Sequence, residues 1–412
     1  MGDSFFLVFV FSAVMPWKNT SLSGQRWQLI KALLRRERSV NAWCRAFGIS
    51  RKTAYKWLRR FTEGGRRDLG DRSRRPRRVP LRMRRKWIER IARTRRRYRH
   101  WGAKKIQAFL LRQYGQAPAT ATIARWLKRL QLTKLRRRRP RKACWLKVPP
   151  LTRATAPNQV WTADFKGWFR SGSGQRVEPL TVRDLFSRYV LTVRLLPDQR
   201  WQPAKAVFRQ LFKRYGLPKI IRTDNGGPFA SKGAGGLSRL SAWWITLGIR
   251  VEFIRPGHPE ENGAHEQMHR ILKAETTTPP APTRQGQQHR TSGWVKNYNR
   301  LRPHEALAQA VPASRYRKSS NRLPARPPAL DYPAKWSRRQ VRSNGEIKWA
   351  GRKRFIGEAF VRRRIGLKSL KKGVQAVYFG PLLIGHLHDD DPGAMRPAVY
   401  QRRIATCGKS KV

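Results

Sequence analysis

The sequence predicts a multidomain α plus α/β chain, with helical units first, a central α/β domain and a small β-barrel near the C-terminus. Between residues 25 and 130, apolar residues recur at helical spacing. Between 159 and 273, short apolar runs alternate with helical patterns, which is typical of an α/β domain. Between 341 and 387, apolar runs are separated by glycines, which indicates short strands joined by turns.

The charge of the chain indicates a polyanionic partner. The chain has 92 Lys and Arg against 23 Asp and Glu, a formal net charge of +69. Folding does not require such an excess, and 39% hydrophobic residues predict folded domains rather than a basic tail. No apolar stretch approaches the length of a spanning helix, which disfavours a membrane as that partner. The three widely spaced cysteines favour a reducing compartment.

The helical front end is divided into two units. We interpret residues 1–14 as a spurious extension, with translation starting at Met15, and residues 15–63 as a helix-turn-helix. Ser50 is the expected N-cap of its last helix, whose apolar face we assign to Ala54, Tyr55, Leu58 and Phe61. The basic residues expected to contact DNA from this helix are Arg51, Lys52, Lys56, Arg59 and Arg60. The alternative is a plain basic helical hairpin.

A basic linker (64–80), a second helical DNA-binding unit (81–135) and another basic linker (136–155) follow.

Three acids of the central segment fall where they can meet. Asp164 lies in an apolar run at 160–165 that predicts a buried strand. Asp224 follows a second strand pattern, at its turn, and Glu266 lies in a helix entered through Asn262 and Gly263. Hard divalent cations prefer such oxygen ligands. These residues predict a carboxylate-held, two-metal site for phosphoryl transfer on DNA.

The motifs around these acids resemble a known family. They read Trp-Thr-Ala-Asp at 161–164, Thr-Asp-Asn-Gly-Gly-Pro-Phe at 223–229 and His-Pro-x-x-Asn-Gly-x-x-Glu at 258–266. They resemble the three signatures of the integrase-type Asp-Asp-Glu insertion-sequence transposases, which are related to retroviral integrases. Together with the order of strands and helices, the resemblance implies a ribonuclease-H-like catalytic core, which we place at 156–318.

The resemblance also implies a mechanism and partners. Asp164 would bridge two Mg²⁺ ions, for which Mn²⁺ substitutes, while Asp224 and Glu266 would each hold one. The expected activity is cleavage of the element's ends and strand transfer. The expected partners are double-stranded DNA, as terminal repeats and target, and further copies of the chain in a homo-oligomer on DNA. We expect neither a membrane nor a small-molecule substrate, and we expect a cytoplasmic, nucleoid-associated bacterial protein.

Other residues near the acids receive secondary roles. Asn225, Asn262, His269 and Arg270 are expected to support the metal ligands or to contact DNA phosphate. Glu260 and Glu261 are expected on the solvent side of the helix start, so that Glu266 is the preferred third acid. The interval between Asp224 and Glu266 is longer than in many relatives, and we attribute the excess to a Gly-rich insert at 233–238. Asp184 is expected to bond its own turn, with a place near the site as the alternative. We expect the tryptophans of this segment, including Trp168, in the core.

Two alternatives remain for the function. Residues 265–269 match the His-Glu-x-x-His pattern of zinc peptidases, but the extended pattern fails because Leu272 and Glu275 stand where Gly and His would be needed. The second alternative is a catalytically silent DNA-binding regulator derived from a transposase. The remaining segments are interpreted as a Pro-rich linker (319–340), the small β-barrel (341–390) and a basic tail (391–412).

Overall fold

The computed structural model describes residues 21–73, 83–133, 151–255, 258–391, 393–398 and 404–405. The expected extension at 1–14, residues 74–80 of the first basic linker, most of the second basic linker and most of the basic tail lie outside these residues. The chain divides into two compact units, Met1–Met83 and Arg84–Val412.

The first unit is a bundle of three short helices, α1 (Leu22–Leu34), α2 (Val40–Ala46) and α3 (Arg51–Gly64). Each helix starts at a serine whose hydroxyl accepts a hydrogen bond from a main-chain N–H three residues on. Ser50 caps α3 in this way, as the sequence predicts.

The apolar face of α3 differs from the prediction at one position. Trp57 is buried and packs with Ile30 and Leu69, whereas Tyr55 is 49% exposed. Trp57 shares a helix face with Ala54 and Phe61, at a spacing of three and four residues, and Tyr55 points about 100° away from Ala54. The assignment of Tyr55 to the apolar face was therefore wrong.

The second unit opens with three further helices, α4 (Arg85–Arg97), α5 (Ala103–Tyr114) and α6 (Thr120–Arg129). Trp101 is the largest fully buried side chain among them and stacks on Tyr98, with 4.0 Å between ring centroids. Lys104 forms an ion pair with Glu305 at 2.7 Å, and Arg112 donates to the Leu301 carbonyl at 2.8 Å. These contacts hold the helices against the α/β domain.

The α/β domain is built on a mixed sheet with the strand order β14-β6-β5-β1-β3-β2, in which β4 also pairs with β3. Its strands are β1 (Val160–Phe165), β2 (Phe169–Arg170), β3 (Arg176–Asp184), β4 (Val190–Leu196), β5 (Ile220–Thr223), β6 (Arg250–Phe253) and β14 (Ile404–Ala405). β1, β5 and β6 are parallel to one another, and β3 and β4 run antiparallel. The carboxyl ends of β1 and β5 therefore lie side by side at one edge of the sheet.

Helices cover this sheet and supply its core. They are α7 (Trp201–Tyr215), α8 (Arg239–Thr246), α9 (Gly263–Thr276), α10 (Arg284–Arg300) and the short α11 (Pro312–Arg315). Trp161, Phe208 and Trp244 are completely buried at the centre. Trp168 is not part of this core, contrary to the prediction, since it is 53% exposed, with Arg170 and Arg176 near its ring. It follows the end of β1, where the chain has left the buried sheet.

The C-terminal region does not confirm the predicted barrel. Its main sheet has the open order β13-β12-β11-β10-β7, and a separate hairpin pairs β8 with β9. The strands are β7 (Ser337–Gln340), β8 (Glu346–Trp349), β9 (Arg352–Phe355), β10 (Arg364–Lys371), β11 (Val374–Phe379), β12 (Leu382–His388) and β13 (Arg396–Pro397). In the described chain the two edge strands, β13 and β7, do not pair. The glycine-separated runs predicted strands and turns, but such a pattern does not determine whether a sheet closes. One continuous core joins this region to the α/β domain, with Phe360 and Ile384 among its members.

None of the helices in the described residues is both long and apolar enough to span a bilayer.

Candidate active site

Asp164 lies near the end of β1, where the strand leaves the buried core. Trp161, Thr162 and Ala163 are buried, and the side chain of Asp164 is 16% exposed. Asn262, immediately before α9, donates its side-chain N–H to Asp164 Oδ2 at 3.1 Å. The residue that precedes the helix of the third predicted acid therefore bonds the first acid, although the two residues are 98 positions apart.

Asp224 follows β5, which is the parallel neighbour of β1. The main-chain N–H of Gly226 donates to Asp224 Oδ1 at 3.2 Å, which places the carboxylate over its own turn. Asn225 donates to the Ile254 carbonyl at 2.6 Å and so ties this turn to the end of β6. The Oδ1 atom of Asn225 is buried without a hydrogen-bond partner in the described chain.

Glu266 lies in the first turn of α9, and its side chain is exposed. The burial of the Asp164 carboxyl, together with the negative charges of Asp224 and Glu266, raises the pKa of Asp164 to about 7. Burial likewise raises the pKa of Asp224. Asp164 therefore lies within electrostatic reach of both other acids, whose negative charges repel its carboxylate.

A histidine pair lies beneath Asp164. Thr181, which faces Asp164 across the strands, donates its hydroxyl proton to the Asp164 carbonyl at 2.9 Å. The Nε2 atoms of His265 and His269 both lie within 2.7 Å of the same hydroxyl oxygen. Because the hydroxyl has only one proton, both rings must donate to it, which leaves each neutral Nδ1 as an acceptor. His265 Nδ1 then accepts from Thr162 at 2.8 Å, and His269 Nδ1 faces Asp164 Oδ2 at 3.9 Å.

The tightest cluster of potential metal ligands differs from the predicted three acids. In the part of the chain that the structure describes, Asp164, His265 and His269 form the one such group with ligand atoms within 4.8 Å of one another. Both nitrogens of His265 are engaged by threonine hydroxyls, and its side chain is buried. Burial lowers the pKa of His265 well below its ordinary value, and that of His269 to about 3. His265 is thus unavailable to an ion, which also removes the first ligand of a zinc-peptidase site.

The donor set fits a hard divalent cation. Asp164 and Asp224 lie at the ends of neighbouring parallel strands, and Asp164 lies within electrostatic reach of both Asp224 and Glu266. Oxygen ligands of this kind are those that Mg²⁺ and Mn²⁺ prefer. His269 Nδ1 is a neutral acceptor directed at Asp164. A bound cation would relieve both the repulsion among the acids and this unfavourable pair of acceptors.

Other acids of the domain have structural partners. Asp184 is completely buried and accepts from the main chain of Asn158 and from the main chain and hydroxyl of Ser187, so it holds its turn as expected. Glu261 is not directed to solvent, contrary to the prediction. It bonds the main chain and the guanidinium of Arg255, with the shorter distance at 2.7 Å. The description of the structure does not extend to the side chain of Glu260.

The remaining predicted contacts are surface residues. Arg270 is exposed one residue beyond His269 on α9. In the first unit, Arg51, Lys52, Lys56 and Arg59 are exposed on α3, and Arg60 is half-buried with its guanidinium 4.8 Å from the centre of the Trp57 ring. Sequence analysis did not identify Thr181 or Arg183 as parts of the site. Arg183 is buried and donates to the Ala264 carbonyl in the first turn of α9, at 2.6 Å. Neither residue has a local motif.

Models of known protein families match the α/β domain and the helical segments before it. Residues 154–259 and 247–312 match two family models that are both described as an integrase core domain. Residues 25–77 match a helix-turn-helix domain, and residues 53–127 match a homeodomain-like domain. The chain thus combines an integrase core domain with helix-turn-helix segments.

Two curated proteins are similar to part of this chain. The insertion element IS407 uncharacterized 31.7 kDa protein of Burkholderia multivorans is 28% identical over 180 residues, which is 43% of this chain and 62% of that protein. The insertion element IS476 uncharacterized 39.2 kDa protein of Xanthomonas euvesicatoria is 26% identical over 200 residues, or 47% of this chain and 56% of that protein. The matches therefore cover less than two thirds of each relative.

A solved structure is also similar. The catalytic core domain of HTLV-2 integrase, in complex with magnesium, aligns with 40% of this chain and 100% of that domain, at 18% identity and a TM-score of 0.32. The family models and the insertion-element relatives confirm the resemblance that the three motifs indicated. Residues 154–312 thus match an integrase core domain, and the chain is similar over part of its length to insertion-element proteins.

Proposed function

We propose that the chain is an Asp-Asp-Glu transposase that cleaves the ends of an insertion sequence and joins them to target DNA. The observation that supports this most strongly is that Asp164 lies within electrostatic reach of Asp224 and Glu266: burial first, and then the charges of these two acids, raise the pKa of Asp164 to about 7. Two acids at the ends of neighbouring strands and a third on α9, on a protein with a formal charge of +69, suit a cation and a polyanion together.

We assign the cation ligands to Asp164, Asp224 and Glu266, with Asp164 as the shared one. When bound, two Mg²⁺ or Mn²⁺ ions would activate the attacking oxygen and stabilise the departing one. The protein's own residues hold the acids in place. Asn262 bonds Asp164, Gly226 bonds Asp224, and Thr181 fixes the strand carbonyl of Asp164 together with both histidines.

The substrate and partners follow from the same proposal. We propose double-stranded DNA, as terminal repeats and as target, read by α3 through Arg51, Lys52, Lys56, Arg59 and Arg60. Arg270 lies at the exposed side of α9, where a phosphate would approach Glu266. We further propose that copies of the chain assemble on DNA, and that the protein acts in the bacterial cytoplasm at the nucleoid. The domain limits proposed from the sequence are retained with this assignment.

A nicking assay beside a gel-shift assay tests the proposal. The substrate is duplex DNA from the region that flanks the gene, with Mg²⁺ or Mn²⁺. We expect wild-type protein to nick it, Asp164→Asn to bind it without nicking, and Asp198→Asn to do both. Asp198 is a matched control because it makes only local contacts with Arg200. Metal-independent binding without nicking by the wild type would instead identify a catalytically silent regulator.

A further inference from the structure

A cavity of about 450 Å³ lies between the α/β domain and the C-terminal sheet. We call it the edge pocket. Its aromatic members are Trp201 at the start of α7, Phe355 at the end of β9, and Phe360. The Gly-rich insert at 233–238 supplies another part of the wall. The size is typical of a site for a small ligand or one group of a larger one.

The edge pocket lies at the same edge of the main sheet as the acids. β4 runs antiparallel to β3 and ends at Leu196, which pairs with Glu178 near the start of β3. Asp164 pairs with Thr181, three residues further along β3, so the end of β4 lies at the carboxyl end of β1. α7 starts from this edge, and α8 starts from it after the turn that follows β5. The pocket and the acids are therefore neighbours at one end of the sheet, with α9 on the other face from α7 and α8.

The turn after β5 joins the edge pocket to the acids. Pro228 lines the pocket four residues after Asp224, and four residues span at most about 14 Å. The next residue, Phe229, contacts Phe165 with 5.6 Å between ring centroids, and Phe165 follows Asp164. A DNA strand whose reacting phosphate lies at the acids is therefore within about four base-pair steps, of 3.4 Å each, of the pocket.

The chemistry of the edge pocket fits a nucleobase. Phe355 is 44% exposed and offers an aromatic surface to a ligand. Arg239 and Glu358 line the pocket as an exposed ion pair at 3.3 Å, and together they present the donor and the acceptor that the edge of a base requires. The Lys205 ammonium and the Arg239 guanidinium lie 5.6 and 5.8 Å from the centre of the Trp201 ring. Aromatic surfaces interleaved with cations are typical of sites for unpaired nucleotides.

An apolar side chain of a protein partner is the other occupant that the aromatic walls would accept. Such a side chain would make no use of the donor and acceptor that Arg239 and Glu358 place in the pocket. The formal charge of +69 also favours a polyanion as the source of the occupant.

We propose that the edge pocket binds one unpaired base of the DNA, stacked on Phe355, with the polar edge of the base at Arg239 and Glu358. The inference rests on the proposed function for its substrate, and it adds that the DNA is unpaired close to the reacting phosphate. A base inside a duplex cannot enter the pocket, because it must first leave its stack and its partner. The pocket would thereby select DNA that opens easily near the site of reaction.

The test measures binding of the full-length protein, without divalent metal, to two duplexes of equal length. One duplex is fully paired, and the other has a single 2-aminopurine base opposite an abasic site. We expect wild type to bind the duplex with the unpaired base about tenfold more tightly, because stacking on an aromatic side chain stabilises the bound base. The fluorescence of 2-aminopurine should fall as the base stacks.

Substitutions of Phe355 separate stacking from other effects. Phe355→Ala should remove both the preference and the fluorescence change, while binding of the paired duplex stays within about twofold. Phe355→Leu retains an apolar side chain without a ring and should behave in the same way, whereas Phe355→Trp should retain the preference. The matched control is Leu370→Ala, which removes another exposed apolar side chain of the C-terminal sheet, outside the pocket, and should change neither reading.

A wild type without preference for the unpaired base, or a preference that Phe355→Ala retains, would overturn the proposal. If Phe355→Ala retains the preference and instead loses self-association in sedimentation, the pocket holds a side chain of a second copy. Loss in Phe355→Leu together with retention in Phe355→Trp excludes misfolding as the cause. Since neither metal nor cleavage is used, an inactive acid site would not alter these results.

Discussion

Two sets of acids on the same sheet differ in how their charges are met. Asp184 and Glu252 are completely buried, yet each is surrounded by donors. Glu252 accepts from Arg222 at 3.0 Å, from Arg250 at 3.2 Å and from the hydroxyl of Thr152. Asp164 is more exposed; in the described residues the side-chain amide of Asn262 donates to it, and Asp224 and Glu266 add negative charge near it. We call an acid saturated when donors and counter-charges surround its carboxylate, as for Asp184 and Glu252, and unsaturated when they do not, as for Asp164. Saturated acids stabilise the fold, while unsaturated ones are available to a ligand.

The largest effect should come from the third acid. Glu266→Gln should reduce metal-dependent cleavage by at least about 10⁴-fold, equivalent to about 5 kcal/mol, because it removes a negative ligand from the ion site. Glu275→Gln, on the same helix, is the matched control. Glu275 already pairs with Arg302 and Trp294, so cleavage should change by less than about threefold. Equal losses in a nicking assay would remove the distinction between the two glutamates.

The next largest effect is expected on stability, from substitution of the saturated acid Glu252. Glu252→Gln should reduce the free energy of unfolding by about 3–5 kcal/mol, because it leaves the buried guanidinium of Arg222 without its counter-charge. Urea unfolding followed by circular dichroism measures it. Asp198→Asn, in a half-exposed surface pair, should cost less than about 1 kcal/mol. A Glu252 variant as stable as the wild type would show that its ion pairs are not structural.

The smallest expected effect is an increase in the free energy of unfolding, caused by substitution of Asp164. The folded-state pKa of Asp164 is about 7, above its ordinary value of 3.8, so the folded protein binds more protons between these values and loses stability as pH rises through them. The pKa difference limits this loss of stability to about 4 kcal/mol. We expect Asp164→Asn to be about 1–2 kcal/mol more stable than wild type at pH 7.5 without metal, and equally stable near pH 4.

The comparison with Asp164→Asn is needed because buried histidines act in the other direction. The pKa values of His269 and His304 are lowered to about 3, mainly by burial, so their contribution to stability rises with pH. Thermal denaturation of both proteins across this range gives the difference. A wild type that is more stable than Asp164→Asn at pH 7.5 would mean that the Asp164 carboxylate is already well satisfied.

The sequence predicted the features that depend on residues close together in the chain. The alternation of strands and helices from Val160 to Thr276, the capping of α3 by Ser50 and the turn after β5 all depend on local patterns, and the structure has them. The open C-terminal sheet was not predicted, because whether two edge strands meet depends on distant residues. The glycine spacing gave only the turns.

The surroundings of the acids were also beyond local patterns. Thr181 reaches His265 across 84 positions, and Arg302 reaches Glu275 across 27. The His-Glu-x-x-His pattern identified both histidines, but it could not show that threonine hydroxyls occupy His265. Motif spacing located the acids, whereas the number of donors around each acid required coordinates. That number is what separates Asp164 from Asp184.

Binding of Mn²⁺ to the full-length protein, measured by calorimetry or by electron paramagnetic resonance, tests the central assignment most directly. We expect wild type to bind the ion, Asp164→Asn to lose binding and Glu266→Gln to bind much more weakly, while His265→Ala, if folded, retains it. Retained binding in Glu266→Gln and Asp224→Asn, with loss in His265→Ala and His269→Ala, would contradict the account and assign the ion to the histidine cluster.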